Sequence, residues 1–349
     1  MQTIMIEPVG SGCNLRCVYC YQEPVRTIVE IMSNNILERI VPDEIALSDE
    51  IKLLWHGGEP TLAGINFFKK AVQFQKRFNK KGIKIVNAIQ TNATLIDEEW
   101  AEFFAENDFR IGTSIDGPKE LHDITRDGSY NRTIRGIKCI QDAGKGVGII
   151  ITVNKHNVDY PELIWNEVIK PKKISNSFEI NICSSTELSS LTPSPDKSLD
   201  FMIKLFNLWI EKDDPEITIK TFRVILRFLL GGEAGDCAFE YNKCNQFAAI
   251  DEKGDVYICN RFMKREVAFL GNVSEQSLKD IVRSKKALKL YDKIAKIKNE
   301  CRKCEWLMCC GGGCAFQRWL HTGRFDAGFP ECDLRKKFFS HVKEKVAQI

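Results

Sequence analysis

Cys13, Cys17 and Cys20 fall within eight residues of SGCNLRCVYCYQ, separated by three and two intervening residues. Thiols at such spacing bind metal or do redox chemistry. A structural zinc site closes its shell with four ligands, usually as two separated pairs, which a triplet does not supply. Three thiolates suit three irons of a four-iron, four-sulfur cluster and leave the fourth iron open to something other than protein. Beyond residue 236 lie nine of the fourteen cysteines: Cys237, Cys244, Cys259, Cys301, Cys304, Cys309, Cys310, Cys314 and Cys332.

These residues need a frame. Strand-like runs at 3–9, 51–57, 83–91, 110–117, 147–154 and 177–183 alternate with amphipathic segments, a pattern that implies a parallel sheet, open or curled into part of a barrel. Helix ends are legible. Ser33 caps NNILERIV, Gly82 closes the segment from Ile65, and Asp97 opens EEWAEFFAEN. A Ser/Thr/Pro loop at 184–197 precedes the apolar helix LDFMIKLFNLWIEK, and the texture changes after LLGGEAGD. The predicted division is a barrel over 1–216, a linker over 217–235 and a cysteine-rich domain over 236–349. In parallel α/β sheets ligands collect at the carboxyl ends of the strands, and the cysteine triplet directly follows the first strand.

Composition narrows the function. The chain has 349 residues, 28% of them charged, with a formal net charge of +3 and no charged tail; nothing in that points to nucleic acid. No run approaches the ~20 apolar residues of a membrane helix, and MQTIMIEPVG has no export-signal pattern. A soluble, cytoplasmic protein is expected, because cytosolic thiols stay reduced and serve metal or redox chemistry.

The triplet resembles the signature of the radical S-adenosylmethionine (SAM) enzymes, a family whose members bind SAM at the open iron and cleave it to a 5′-deoxyadenosyl radical. GGEP, QTNATL and SIDGP resemble family motifs in the same order. The resemblance implies a partial (β/α)6 barrel. It also implies that Gly57, Gly58, Glu59 and Pro60 meet the methionine amino group, that Tyr19 flanks the adenosine, and that Ser114 and Arg126 hold the carboxylate. A guanidinium is independently suited to that last task, its planar fork matching a carboxylate.

The C-terminal cysteine pattern is similar to that of SPASM domains, which hold two auxiliary clusters; Cys301-x-x-Cys304 alone would also suit a zinc ribbon. By resemblance, Cys237, Cys244, Cys259 and Cys314 hold one four-iron cluster and Cys301, Cys304, Cys310 and Cys332 the other, making three in all. Cys309 makes the register ambiguous, and the GGGC spacing favours Cys310. Such enzymes mostly modify peptides, with flavodoxin or ferredoxin as the implied reductant. Anaerobic sulfatase maturases, which make formylglycine, carry an aspartate after the cysteine matching Cys259, where this chain has Asn260. An amide cannot take up a proton near neutrality. CNRFMKREVAFLGNV instead resembles maturases of ribosomally made peptides, so an intramolecular carbon–carbon or thioether cross-link is the expected reaction. Formylglycine formation is the alternative, and a multi-cluster electron carrier the alternative of another class. Asn260 and His56 are expected to line the substrate pocket, His56 either as an acid or base or as a hydrogen-bonded strand-end histidine. With the first strand starting almost at Met1, any leader peptide is expected to be read by the barrel surface or by a separate protein.

Overall fold

A computed structural model describes residues 2–22, 29–40, 49–183, 190–232 and 237–348. Strands β1 (Gln2–Ile6), β2 (Glu50–Trp55), β3 (Lys84–Gln90), β4 (Arg110–Ser114), β5 (Val147–Val153) and β6 (Ser177–Ile182) pair in parallel in chain order. Successive side chains of a strand point to opposite faces. Ile4 and Ile6 of β1 and Ile51, Leu53 and Trp55 of β2 therefore enter the core beneath the helices, whereas Thr3, Met5, Lys52 and Leu54 take the other, half-buried face.

Aromatic rings fill the layer between sheet and helices. Trp55 packs edge-on against Phe68 at 5.2 Å, and Phe68 against Trp100 at 5.4 Å. The Trp55 indole N–H donates to Asn87 Oδ1 at 3.1 Å, and Asn87 and Gln75 exchange two further bonds, so the buried polar groups here are paired. Ser33 and Asp97 cap the helices Asn34–Arg39 and Glu98–Glu106, accepting from the Ile36 and Trp100 N–H groups. Gly82 does not close its helix directly: Ile65–Phe78 ends at Asn79, and Gly82 takes its positive φ in the turn beyond.

The sheet does not stop at six strands. β7 (Thr218–Ile219) joins β6, and on the opposite edge β8 (Phe247–Ile250) pairs in parallel with β1, followed by antiparallel β9 (Asp255–Tyr257) and β10 (Phe269–Asn272). The segment expected as a linker, 217–235, is thus corrected over most of its length, since β7 and the helix Lys220–Leu229 lie within it. That helix is amphipathic and buries Phe222 against Phe206 at 5.3 Å and Phe338 at 5.9 Å, and burial of such rings favours order over a free tether. The linker's end at 233–235 and the loop at 184–189 lie outside the described residues. Among the described residues no helix is long and apolar enough to cross a membrane.

Candidate active site and cysteine clusters

The cysteine triplet leaves β1 on a loop that two neighbouring strand ends hold in place. Asn14 donates to Thr94 Oγ1 at 2.8 Å and accepts from Asn92 Nδ2 at 2.8 Å, while the Val18 N–H reaches the Thr125 carbonyl at 3.0 Å. The Leu15 N–H points at Cys13 Sγ from 3.4 Å. Burial pushes the Cys13 thiol up to about 11, and Glu59, Cys17 and Cys20 add to the shift, which places the three thiols in one another's field. A bound metal reverses that cost, because a coordinating thiol is deprotonated outright.

Gly57, Gly58, Glu59 and Pro60 follow β2 and lie against this loop. The Gly58 N–H donates to the Gly10 carbonyl at 2.8 Å and the Glu59 N–H to the Gly12 carbonyl at 2.7 Å. A Cβ at Gly58 would stand 1.9 Å from the Gly12 oxygen, so only glycine permits the approach. Glu59 is fully buried. Its carboxylate accepts from the Thr61 N–H and hydroxyl, the Thr91 hydroxyl at 2.7 Å and the Asn92 N–H at 2.6 Å. Those four bonds make it join the ends of β2 and β3. QTNATL thereby acquires a local purpose: Thr91 and Asn92 hold Glu59, and Asn92 and Thr94 hold Asn14.

Beyond β4, Tyr19 donates to Asp116 Oδ2 at 2.5 Å and accepts from Arg126 at 2.6 Å. Asp116 also accepts from Thr125 and the Thr152 N–H. Arg126 is buried and among the described residues its Nε–H has no partner, an open charged donor that a ligand carboxylate would satisfy. Ser114 ends β4 beside Gln90, whose amide approaches its hydroxyl at 3.5 Å. Asp116 was not singled out by sequence reasoning, although it stands within the SIDGP motif.

The C-terminal cysteines form two groups. Burial, then the Cys314 and Cys237 thiols, push Cys244 up to about 12; burial, then Cys314 and Cys244, do the same to Cys259. Cys301, Cys304, Cys310 and Cys332 line one pocket with Gly312 and Arg335. Among the described residues no three such side chains converge as a single ion needs; these four surround a space, as thiolates around a cluster core do. Cys309 is wholly buried in the core. Cys310→Ala should therefore lower the iron content of the reconstituted protein by one cluster, whereas Cys309→Ala should keep its iron and lose about 1 kcal/mol of stability; a colorimetric iron assay and thermal melts separate the two.

His56 does not fit an acid–base role near neutrality. Its Nδ1 accepts the Gly57 N–H at 2.7 Å, and burial, then the charge of Arg261, push the ring down to about 4. Asn260 Nδ2 donates to the Tyr21 hydroxyl at 3.1 Å, bringing a residue after Cys259 against the first cysteine loop. Tyr21 and Arg261, which places its charge beside Cys314, Cys259 and Tyr21, were missed because only the folded chain brings 19–22 and 259–261 together.

A radical SAM superfamily model matches residues 8–164, and an iron-sulfur cluster-binding SPASM domain model matches 242–305. The serine-type anaerobic sulfatase-maturating enzyme of Bacteroides thetaiotaomicron is 30% identical, the match covering 97% of this chain and 89% of that one. The cysteine-type enzyme of Clostridium perfringens is 30% identical over 99% of this chain and 98% of its own length. The solved structure of native anSMEcpe with bound AdoMet superposes with a TM-score of 0.88 at 27% identity, covering 99% of this chain and 98% of that one. SuiB of Streptococcus suis, solved with the precursor peptide SuiA, reaches a TM-score of 0.63 at 20% identity, covering 95% of this chain and 75% of that one, a likeness of fold alone. The expected cross-linking of a ribosomal peptide is overturned by these matches: the two relatives named above, alike over nearly the whole chain, are sulfatase maturases, and the local run after Cys259 is outweighed. They also remove the electron-carrier alternative, since the relatives are enzymes. The chain is a radical SAM oxidoreductase with a SPASM domain, and it belongs to the anaerobic sulfatase-maturating enzyme family.

Proposed function

We propose that this enzyme oxidises a cysteine or serine side chain of a protein substrate to formylglycine. The observation that carries the reading is likeness along the whole chain to both serine-type and cysteine-type maturases, beside the likeness to native anSMEcpe solved with bound AdoMet and Cp18Cys peptide. In this reading Cys13, Cys17 and Cys20 hold the four-iron cluster whose open iron takes SAM. When bound there, SAM supplies the radical that removes a substrate hydrogen. The backbone of Gly57 and Gly58 receives the methionine amino group, with Pro60 starting the turn that fixes it. Arg126 and Ser114 take the carboxylate, and Tyr19 lies beside the adenosine. Glu59 is a positioning residue, acting through Thr61, Thr91 and Asn92.

Two further four-iron clusters, making three, would be held by Cys237, Cys244, Cys259 and Cys314 and by Cys301, Cys304, Cys310 and Cys332. Full ligation suits them to accept the electron released by substrate. A flavodoxin or ferredoxin as electron donor and a cytoplasmic location fit a thiol-rich chain. We place the barrel's end within the 230s, after the helix Lys220–Leu229. The test is an anaerobic reaction of the reconstituted, reduced enzyme with SAM and two sulfatase-motif peptides, one bearing cysteine and one serine. A hydrazine-reactive aldehyde on at least one, located by tandem mass spectrometry, is the expected result. Formation of 5′-deoxyadenosine with no aldehyde on either would sink the reading.

A further inference from the structure

We propose that Glu7 is the proton acceptor of the reaction, in the role for which position 260 offers only an amide. The inference rests on the formylglycine reading. Glu7 follows β1, and the register Ile6↔Trp55 and Ile6↔Ile250 sets it beside His56 on one flank and Asp251 on the other. Ile6, Trp55 and Ile250 all enter the core, so the residue after each turns to the opposite face of the sheet. The methylene carbons of Glu7 lie 2.9 Å from where a Cβ on Gly57 would stand, which puts the carboxylate at the base of the GGEP loop. Gln22 donates to Glu7 Oε1 at 3.2 Å, and its neighbour Tyr21 accepts from Asn260. Two consecutive residues of the cluster loop thus link position 260 to Glu7.

The other groups on this face are committed. His56 Nδ1 is occupied by the Gly57 N–H, so protonation there would break a bond. Asn260 has no proton affinity near neutrality. Asp251 and Glu252 share Lys264, at 2.5 and 3.0 Å, and Asp251 also accepts two backbone N–H groups. Glu7, only 2% exposed, has a neutral partner in Gln22 and no ion pair among the described residues. Burial, then Asp251 and Glu252, raise its proton affinity well above the usual carboxylate range, with Lys264 and Gln22 opposing them. It can take the substrate proton only in its ionised form, which Lys264 and the Gln22 hydrogen bond favour.

The balance is complete. Once a hydrogen atom has left the substrate Cβ, the S–H or O–H bond breaks, its proton passes to Glu7, and one electron passes to an oxidised four-iron cluster. Closure of C=O gives the aldehyde directly from serine. Closure of C=S gives a thioaldehyde that water converts to the aldehyde with release of hydrogen sulfide.

The test compares wild-type, E7Q, N260D and E7Q/N260D holoenzymes with the peptide that wild type converts, measuring 5′-deoxyadenosine and aldehyde together. E7Q should form 5′-deoxyadenosine within a few-fold of wild type and lose aldehyde by about 10²-fold or more. N260D should restore aldehyde to the E7Q enzyme, a rescue that a merely structural role would not give. If E7Q fails to retain iron, E7D carries the test, and it should lower the aldehyde-to-deoxyadenosine ratio. Wild-type aldehyde yield in E7Q, no rescue in E7Q/N260D, or an unchanged ratio in E7D would each overturn the proposal. Absence of aldehyde from wild type would instead count against the formylglycine reading.

Discussion

Gly58→Ala is expected to depress SAM cleavage by about 10²-fold or more, the usual consequence of displacing a reacting group by about 1 Å. The added methyl would stand 1.9 Å from the Gly12 oxygen and 2.5 Å from its carbonyl carbon. Both are backbone atoms and cannot rotate away. Relief requires the GGEP turn and the cysteine loop to separate, breaking the bonds from the Gly58 and Glu59 N–H groups to Gly10 and Gly12. Chromatographic measurement of 5′-deoxyadenosine from the reduced variant, beside its iron content, checks this. Gly146→Ala is the control, because a Cβ there meets nothing within 4 Å among the described residues, and it should cleave SAM at the wild-type rate. Retained cleavage in Gly58→Ala would mean that the two loops are not locked together.

Glu59→Ala should be the more destabilising change, by about 3–5 kcal/mol. It strands two backbone N–H groups and two hydroxyls in a dry site, and each unsatisfied buried donor costs about 1–3 kcal/mol, less whatever the cavity recovers with water. Glu59→Gln should cost less, about 1–3 kcal/mol, since its oxygen can keep the three bonds from Thr61 and Thr91 while its NH2 faces the Asn92 N–H as donor against donor. Thermal or urea melts give the order. SAM binding by calorimetry should weaken in both variants in step with stability, because the carboxylate works through the strand ends it joins. A Glu59→Gln enzyme with native stability and abolished SAM binding would return the carboxylate to direct contact.

Much of the fold was legible because the parallel strands are short apolar runs bounded by turns, and period and length suffice to find them. The edges were not. β7 has two residues and β8 reads only FAAI, too short for any period, and what makes them strands is pairing with β6 and β1. The reaction was misjudged at one residue for a similar reason. Position 260 is read along the chain as the neighbour of Cys259, whereas in the fold its amide meets the Tyr21 hydroxyl of the first cysteine loop.

By itself the sequence determined the chemistry of the ligands. Three thiols at fixed spacing behind a first strand, GGEP behind a second and eight further thiols name iron, sulfur and an open coordination site, because spacing along the chain survives folding. Only the tertiary structure decided which of two adjacent cysteines enters a cavity, Cys310 or Cys309, and tied Glu59 to Thr91 and Asn92. It also set Glu7 between His56 and Asp251. These are relations between residues dozens to hundreds of positions apart, and burial, hydrogen bonding and proton affinity depend on such neighbours rather than on the residue's own place in the chain.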